Sequence, residues 1–296
     1  MTATTTPSTP PNTTPTVTAT VLRAGRRRGL IELRQSLTNP ADLWNHCFWP
    51  VLMLVTLHFL GTHAFRHTGF ALGSLALPSI LGMNASMAMT TMSQQLAADR
   101  EDGTLLRAKA VPNGMPAYLV SRVISVSGGL LVDLAIFLVP GLALIGGLSL
   151  GRPAGWLWLA CVLILGLLAT LPIGAVLGAV FGSPRSQGLL TLPILALIGI
   201  SGIFYPIAAL PGWLRELAQI FPVYWTGLGM RAALLPPQAA GIEIGGSWRQ
   251  GETAAVLLAW ALVGLAAAPA LLRRMARRES GSRLTQRKER ALLRTR

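Results

Sequence analysis

The chain contains 296 residues, of which 52% are hydrophobic and 12% are charged, and it carries a net charge of +14. About a quarter of the residues in an average soluble domain are charged, and several apolar runs here reach the roughly 20 residues that cross a bilayer core. This composition excludes an ordinary soluble domain and predicts an all-α polytopic membrane protein. The positive charge does not predict a nucleic-acid partner, because ten of the 25 basic residues lie in the last 24 positions. Basic residues at membrane flanks are typical of topology signals and headgroup contacts.

The amino-terminal region divides into a tail and a helix. Residues 1–20 are rich in Thr and Pro, and we expect them to form a disordered cytoplasmic tail. Residues 21–42 contain five arginines around Leu30 and Leu33, which have helical spacing, and Asn39-Pro40 is expected to end the helix. The pattern predicts an amphipathic helix at the cytoplasmic interface; a merely solvated basic tail is the alternative.

Residues 43–273 are predicted to form a transmembrane domain of six helices. The spans cover residues 44–61, 70–95, 118–147, 156–182, 188–205 and 254–272. Twenty basic residues then lie in the inner segments, and the outer loops hold only Arg66, Arg152, Arg215, Arg231 and Arg249. This bias places both termini in the cytoplasm, with residues 274–296 as a basic cytoplasmic tail.

The fourth span carries Gly174, Gly178 and Gly182 at four-residue spacing. Small residues at this spacing let the backbone of a neighbouring helix approach closely. The pattern therefore predicts a packing face.

The connection before the last span is long and too apolar for an unstructured loop. We predict that residues 203–235 form short re-entrant helices in the outer leaflet, shielded by protein. On this interpretation one helical face carries Leu214, Leu217, Phe221 and Trp225.

Polar residues inside the spans define a candidate cargo path. Such residues are costly against lipid, so they are expected to face the bundle interior, a partner or a wet pathway. The path consists of Asn84, Ser86, Thr90, Thr91, Asp133 and Ser201. Hydrogen bonding between helices explains the polar residues of the second span equally well. Asp133 is either a site for a cationic cargo or a proton, or a carboxyl that is hydrogen-bonded to a neighbouring helix.

Residues 96–112 form a charged insert between the second and third spans. Asp99, Glu101 and Asp102 are three of the eleven acidic residues of the chain. The predicted topology places the insert in the cytoplasm, where it can contact a partner. The chain has no G-x-x-x-x-G-K-[ST] loop, so any ATP that drives the protein must be hydrolysed by another subunit.

The sequence contains no assembled catalytic or metal site. Gly199-Ile200-Ser201-Gly202 matches a short pattern of intramembrane serine proteases, but these need a histidine base on a later span. The histidines are His46, His58, His63 and His67, all of which precede residue 70. The last three lack a neighbouring carboxylate or cysteine to complete a metal site, and we interpret them as solvated loop residues.

Two segments resemble the permease subunits of type-2 ABC exporters. Asp99-Arg100-Glu101-Asp102-Gly103-Thr104-Leu105, followed by Pro112, resembles the family's acidic-Arg-Glu-x-Gly-Thr-Leu segment and later Pro. Asp99 stands where Glu is commoner, and Asp102 stands at the variable position. The second match begins at Ser201-Gly202-Ile203-Phe204-Tyr205-Pro206 and continues to Arg231, which resembles the family's outer re-entrant region. The resemblance covers roughly residues 21–275, and the composition resembles the daunorubicin-resistance branch.

The resemblance implies a coupling helix that docks on a separate ABC ATPase subunit, which would bind ATP and Mg, so this chain would hold no cofactor. The implied coupling residues are Asp99, Arg100, Glu101, Gly103, Thr104, Leu105 and Leu106. It further implies a permease homodimer or pair in the inner membrane of a bacterium that exports a drug-like or lipid-like hydrophobic cargo. The alternative is an ion- or proton-coupled secondary transporter that uses Asp133, although we find no internal repeat of the kind that such carriers show.

Overall fold

Helices are the only regular elements in the described part of the chain. The computed structural model describes residues 17–60, 72–203, 205 and 207–278. Its α-helices are α1 Val17–Thr38, α2 Pro40–Leu60, α3 Leu72–Glu101, α4 Thr104–Ala110, α5 Gly114–Leu144, α6 Pro153–Val180, α7 Pro184–Ile200, α8 Gly212–Ile220, α9 Pro222–Leu234 and α10 Gln250–Arg278. Short 3-10 helices cover Ile207–Ala209, Pro237–Ile242 and Ile244–Gly246. The all-α prediction is confirmed for these ranges.

Three helices of the described residues are long and apolar enough to cross a membrane. They are α5, α6 and the segment Gln250–Ala268 of α10, while Ser186–Ile200 in α7 is a shorter apolar helix. The helices α2 and α3 coincide with the first two predicted spans, but the end of the first and the start of the second fall outside the described residues. The count of six spans therefore stays a prediction.

The helix α6 lies at the centre of the bundle, against α3, α9 and α10. Its predicted glycine face is confirmed, because α3 runs directly across it. A Cβ atom at Gly178 would lie 2.8 Å from the carbonyl oxygen of Ser93, and one at Gly174 would collide with the backbone of Met89. These two helices therefore touch backbone to backbone.

The helix α1 runs alongside α5 in the same direction. A Cβ atom at Gly25 would lie 2.6 Å from the Val120 side chain, and one at Gly29 would lie 2.8 Å from the carbonyl oxygen of Ser121. Four residues further on, Leu33 covers Gly128. The contacts progress in the same direction along both helices. The helix α1 is therefore packed against α5 and is not a solvated tail.

Helix boundaries differ from the predicted ones in two places and agree in one. The helix α1 starts at Val17, inside the segment expected to be a disordered tail. Pro40 separates α1 from α2 as predicted, and it occupies the first position of α2, where its missing N–H group costs no hydrogen bond. The predicted coupling segment is divided, since α3 continues to Glu101 and Gly103 turns the chain with φ of 75° before α4.

The connection between α7 and α10 contains two α-helices, and the common face predicted across them is wrong. The helix α8 ends at Ile220, Phe221 is extended (φ −93°, ψ 149°), and α9 begins at Pro222. Proline disfavours helical geometry in the residue before it, so the turn at Phe221 separates Leu217 from Trp225. All thirteen residues of α9 are buried. The position of this region relative to the membrane stays a prediction.

Candidate functional site

The short helix α4 is anchored on one side and exposed on the other. Leu105 and Ala108 are buried, whereas Arg107 is exposed and the Val111 side chain just after the helix is 60% exposed. The turn into α5 is tight, because a Cβ atom at Gly114 would collide with the carbonyl oxygen of Ala108. These contacts hold α4 against α3 and α5.

The predicted coupling residues lie mostly on the anchored side of this turn. Leu105 belongs to the main hydrophobic core, Gly103 is buried, and the other positions are half-buried except for Asp99, which is buried. A Cβ atom at Gly182 would collide with the Arg100 guanidinium, which lies against the end of α6. The exposed residues of this end are Asp102, Arg107, Lys109, Ala110, Val111, Pro112 and Asn113.

Asp99 points into the bundle and binds the first turns of α5. The hydroxyl of Tyr118 donates to its Oδ2 at 2.5 Å, and Nη2 of Arg122 donates to its Oδ1 at 2.9 Å. The Nε atom of Arg122 lies 2.6 Å from Oδ2. These contacts join the last turn of α3 to α5 across the helix α4 that separates them in sequence.

Arg122 extends this network to α1. Its Nη1 lies 3.3 Å from Oε1 of Gln95 and 3.4 Å from Oε2 of Glu32. Glu32 also accepts a hydrogen bond of 2.9 Å from Nε of Arg28. The guanidinium groups of Arg28 and Arg122 each lie 5.6 Å from the ring centre of Tyr118, so one charged cluster links α1, α3 and α5.

The charge of Asp99 is subject to opposing effects. It lies beyond the end of the predicted second span. Burial, the largest effect, raises the pKa of its carboxyl, while the hydrogen bond from Tyr118 and the charge of Arg122 act to lower it. The net direction is upward, as expected where loss of solvent outweighs the ion pair.

A polar cavity of about 390 Å³ opens beside this cluster, between α1, α2, α3 and α5. Arg122 and Asp99 form part of its wall, and Asp133 and His46 lie further along it. Nδ1 of His46 is hydrogen-bonded to Oδ1 of Asp133, and its Nε2 lies 2.9 Å from Oγ of Ser36. The hydrogen-bonded alternative for Asp133 is therefore confirmed, and its partner is on α2.

The structure brings together only two of the predicted cargo-path residues. Thr91 and Asp133 both line the cavity. Ser86 and Ser201 are buried outside the cavity. Their hydroxyl groups donate to the carbonyl oxygens of Gly82 and Ile198, one turn earlier in the chain, at 2.9 and 2.6 Å. Asn84 is half-buried and lies outside the cavity, while Oγ1 of Thr90 is buried without a hydrogen-bond partner among the described residues.

The described residues contain no group of three or more His, Cys, Asp or Glu side chains that could hold a metal ion. His63 and His67 lie outside the described residues. Cys47 is exposed and Cys161 is half-buried, and both are free thiols.

A second buried arginine holds the connection between α7 and α10. Arg231 of α9 donates from Nε to Oε1 of Glu243 at 2.7 Å, and its Nη1 lies 3.2 Å from Oγ of Ser79. Nη1 also lies 3.4 Å from the carbonyl oxygen of Gly202. This one side chain therefore connects α9 with α3, with the turn after α7 and with the segment before α10.

Sequence reasoning missed the partners of Asp99 and Asp133. In the sequence, Arg122 counts only toward the positive charge of the inner segments, and no role is predicted for His46. A signal existed for Arg122, which lies one helical turn after Tyr118 and therefore on the same face of α5. The dipeptide Asn113-Gly114 is likewise a turn signal that marks the end of the insert.

The fold and the cavity define a class: a multi-pass helical membrane protein whose bundle encloses a polar site. The sequence model of a family described as ABC-2 family transporter protein matches residues 63–269, more than half of the chain. The chain belongs to this family. No curated protein matches the chain.

Family membership makes the chain a membrane transport subunit that is not itself catalytic. It agrees with the resemblance found in the sequence at the level of the family, and it does not distinguish the daunorubicin-resistance branch from others.

Proposed function

We propose that the chain is the permease subunit of an ATP-driven exporter and that a separate ABC ATPase subunit docks on the exposed side of α4. The observation that carries the proposal is the two-sided construction of α4. Leu105 is buried in the bundle core, while Arg107 and Val111 face outward. A rigid helix that is held by the bundle and exposed to a partner is suited to transmit force.

The charged cluster supplies the path for that force. A push on α4 displaces the end of α3 and the start of α5, which Asp99 and Arg122 tie together. Arg122 also contacts Glu32 of α1, so the wall of the cavity moves with α4. ATP-driven closure of the partner would thus change access to the cavity, which is the requirement for alternating access.

The remaining parts of the proposal follow from the resemblance. Two permease copies, or a pair of related permeases, would act with two ATPases that hold ATP and Mg, in the inner membrane of a bacterium with both termini in the cytoplasm. The cargo is hydrophobic, drug-like or lipid-like, as in the daunorubicin-resistance branch. Exposed apolar side chains on α2 and α7, such as Trp49 and Leu192, fit contact with lipid or with the second copy.

Partner retention tests this function. We expect the tagged permease, purified from its native membranes in mild detergent, to retain a protein that binds radiolabelled ATP. Val111→Asp should reduce the retained ATP binding about tenfold or more, because it places a charge in an apolar contact. Val17→Asp is the matched control, since Val17 is 63% exposed against 60% for Val111 and lies on α1. Equal retention by both variants would show that α4 is not the docking surface.

A secondary transporter is the second candidate, and the bonded pair of His46 and Asp133 inside the cavity favours it. The two candidates differ in their energy source. Vesicles that contain the permease and its ATPase should move a fluorescent hydrophobic amine only when ATP is supplied. Transport driven by a proton gradient in vesicles without the ATPase would reject the exporter and support the carrier.

A further inference from the structure

The cavity between α1, α2, α3 and α5 has the dimensions of a ligand site. Its volume of about 390 Å³ lies within the range of roughly 300 to 1,000 Å³ found for small-molecule pockets. Its wall carries four carboxylates, at Glu32, Asp42, Asp99 and Asp133, against the single guanidinium of Arg122. The sign of the unbalanced charge points to a positively charged ligand.

Two of the four carboxylates are already neutralised. Arg122 lies beside Asp99 and Glu32, and Arg28 stands behind Glu32 as a second cation. Two arginines therefore balance these two acids, and the excess negative charge is located at the other end of the cavity.

The unbalanced carboxylates are those of Asp42 and Asp133. Asp42 accepts a hydrogen bond of 3.0 Å from the uncharged side-chain amide of Asn39. Asp133 is bonded through Oδ1 to His46, whose other ring nitrogen can accept the hydroxyl proton of Ser36 at 2.9 Å. An imidazole that donates from Nδ1 and accepts at Nε2 satisfies both contacts, and in that form His46 orients Asp133 and leaves its charge for a ligand.

One oxygen of Asp133 is left for a ligand. In the part of the chain that the structure describes, the hydrogen bonds of this carboxylate involve Oδ1 alone, and the side chain is 34% exposed in the cavity wall. Leu130 lies one turn before Asp133 on the same face of α5 and lines the same cavity. An ammonium group at Asp133 would therefore have an apolar surface beside it for an attached chain.

We propose that this cavity binds the protonated primary amine of an amphiphile, with Asp133 and Asp42 as acceptors and Leu130 beside its apolar chain. The inference rests on the proposed export function and specifies the cargo class. The same ammonium chemistry occurs in a cargo molecule and in the ethanolamine headgroup of a membrane lipid.

Equilibrium binding to the full-length chain tests the proposal without any ATPase. The probe is radiolabelled dodecylamine, added at neutral pH to the protein in phosphatidylcholine nanodiscs, with empty nanodiscs as the partition blank. We expect Asp133→Asn to weaken binding about tenfold or more, because a hydrogen bond to a charged group is lost. Glu216→Gln, an exposed acid on α8 outside the cavity, should bind as the unchanged protein does.

Competitors that share the dodecyl chain but differ in the headgroup test the recognition of charge and of N–H donors separately. Unlabelled dodecylamine should displace the probe fully, dodecyltrimethylammonium more weakly because it has no N–H group, and dodecyl sulfate not at all. Equal displacement by the sulfate, or equal affinity of Asp133→Asn and the unchanged protein, would overturn the proposal. Asp42→Asn is the second variant, and it decides the matter if Asp133→Asn fails to give a monodisperse protein.

Two further comparisons distinguish a lipid headgroup from a cargo amine, and the amine site from the export function. Nanodiscs that contain phosphatidylethanolamine should lower the apparent affinity for dodecylamine if the lipid headgroup occupies the site, and should leave it unchanged if only a cargo amine does. If amine binding is absent while ATPase retention persists, this proposal alone fails. If amine binding is present without ATPase retention, the cavity stands and the export function fails.

Discussion

Each end of the bundle is organised around an arginine paired with a carboxylate, but the surroundings of the two pairs differ. The side chains of Arg231 and Glu243 are 4% and 3% exposed, in a region where α9 is entirely buried. The side chains of Arg122 and Asp99 are 12% and 11% exposed and border a cavity. One pair is sealed within packed helices, and the other has space beside it.

Close glycine contacts occur at both ends of the bundle, so they do not distinguish the two pairs. Around α9, a Cβ atom at Gly82 would lie 2.5 Å from Cα of Gly227, and one at Gly229 would lie 2.7 Å from Val162. Such close backbone packing resists rearrangement, because interiors at this density have no space for partial shifts. The difference lies in the acceptors and the space beside them, because Arg122 has acceptors on both α1 and α3 and borders the cavity. We infer that the Arg231 end is a fixed anchor and the Arg122 end is the part that changes shape.

The largest expected effect is loss of stability at the sealed pair. Arg231→Ala should lower the free energy of unfolding by about 3–5 kcal/mol, because it leaves the buried charge of Glu243 without a partner. Fluorescence-monitored unfolding in detergent measures the change. Arg26→Ala, at an exposed position of α1, is the control and should stay within about 0.5 kcal/mol.

A double variant separates the effect of the unpaired charge of Glu243 from the effect of lost packing. Arg231→Met combined with Glu243→Leu removes both charges, and apolar replacement of a buried pair is often neutral or stabilising. We therefore expect it to recover most of the stability lost in Arg231→Ala. If the double variant is as unstable as the single one, the loss comes from packing or from the contacts with Ser79 and Gly202, and not from the stranded charge.

An intermediate effect is expected at the pair of Arg122 and Asp99. It should reduce the stimulation of ATP hydrolysis by cargo more than it reduces stability. Arg122→Ala should cost about 2 kcal/mol of stability, since hydrogen bonds to charged groups are lost from a site with some solvent access. In a complex with the proposed ATPase subunit, cargo-stimulated ATP hydrolysis should fall at least fivefold while basal hydrolysis changes less than twofold. Arg122→Lys keeps the charge but not the paired geometry, and it should restore stability more than stimulation. Equal loss of basal and stimulated rates would assign Arg122 a structural role only.

Much of the fold could be predicted from the sequence because it depends on local patterns. The apolar runs predicted α5 and α6, Pro40 marked a helix boundary, and the spacing of Gly174 and Gly178 predicted the contact with α3. The site was less predictable, because its contacts join distant residues. His46 and Asp133 are 87 positions apart, and no helical period or turn signal connects them. The direction of Asp99 depends on how α3 and α5 meet, which the charge pattern alone does not specify.

The smallest effect concerns the turn that separates the Arg122 end from α4. Gly103 has φ of 75°, a conformation that costs an L-residue about 1–2 kcal/mol, so Gly103→Ala should lower stability by about 1 kcal/mol. Gly188→Ala is the matched control, because a Cβ atom there meets nothing within 4 Å and alanine favours the helical backbone of α7 by up to about 1 kcal/mol. The two substitutions should therefore shift the unfolding midpoint in opposite directions. If Gly103→Ala were neutral, the turn would have adopted another conformation at little cost. The path from α4 to Asp99 would then be compliant, and force applied to α4 would reach Arg122 only through the buried contacts of Leu105.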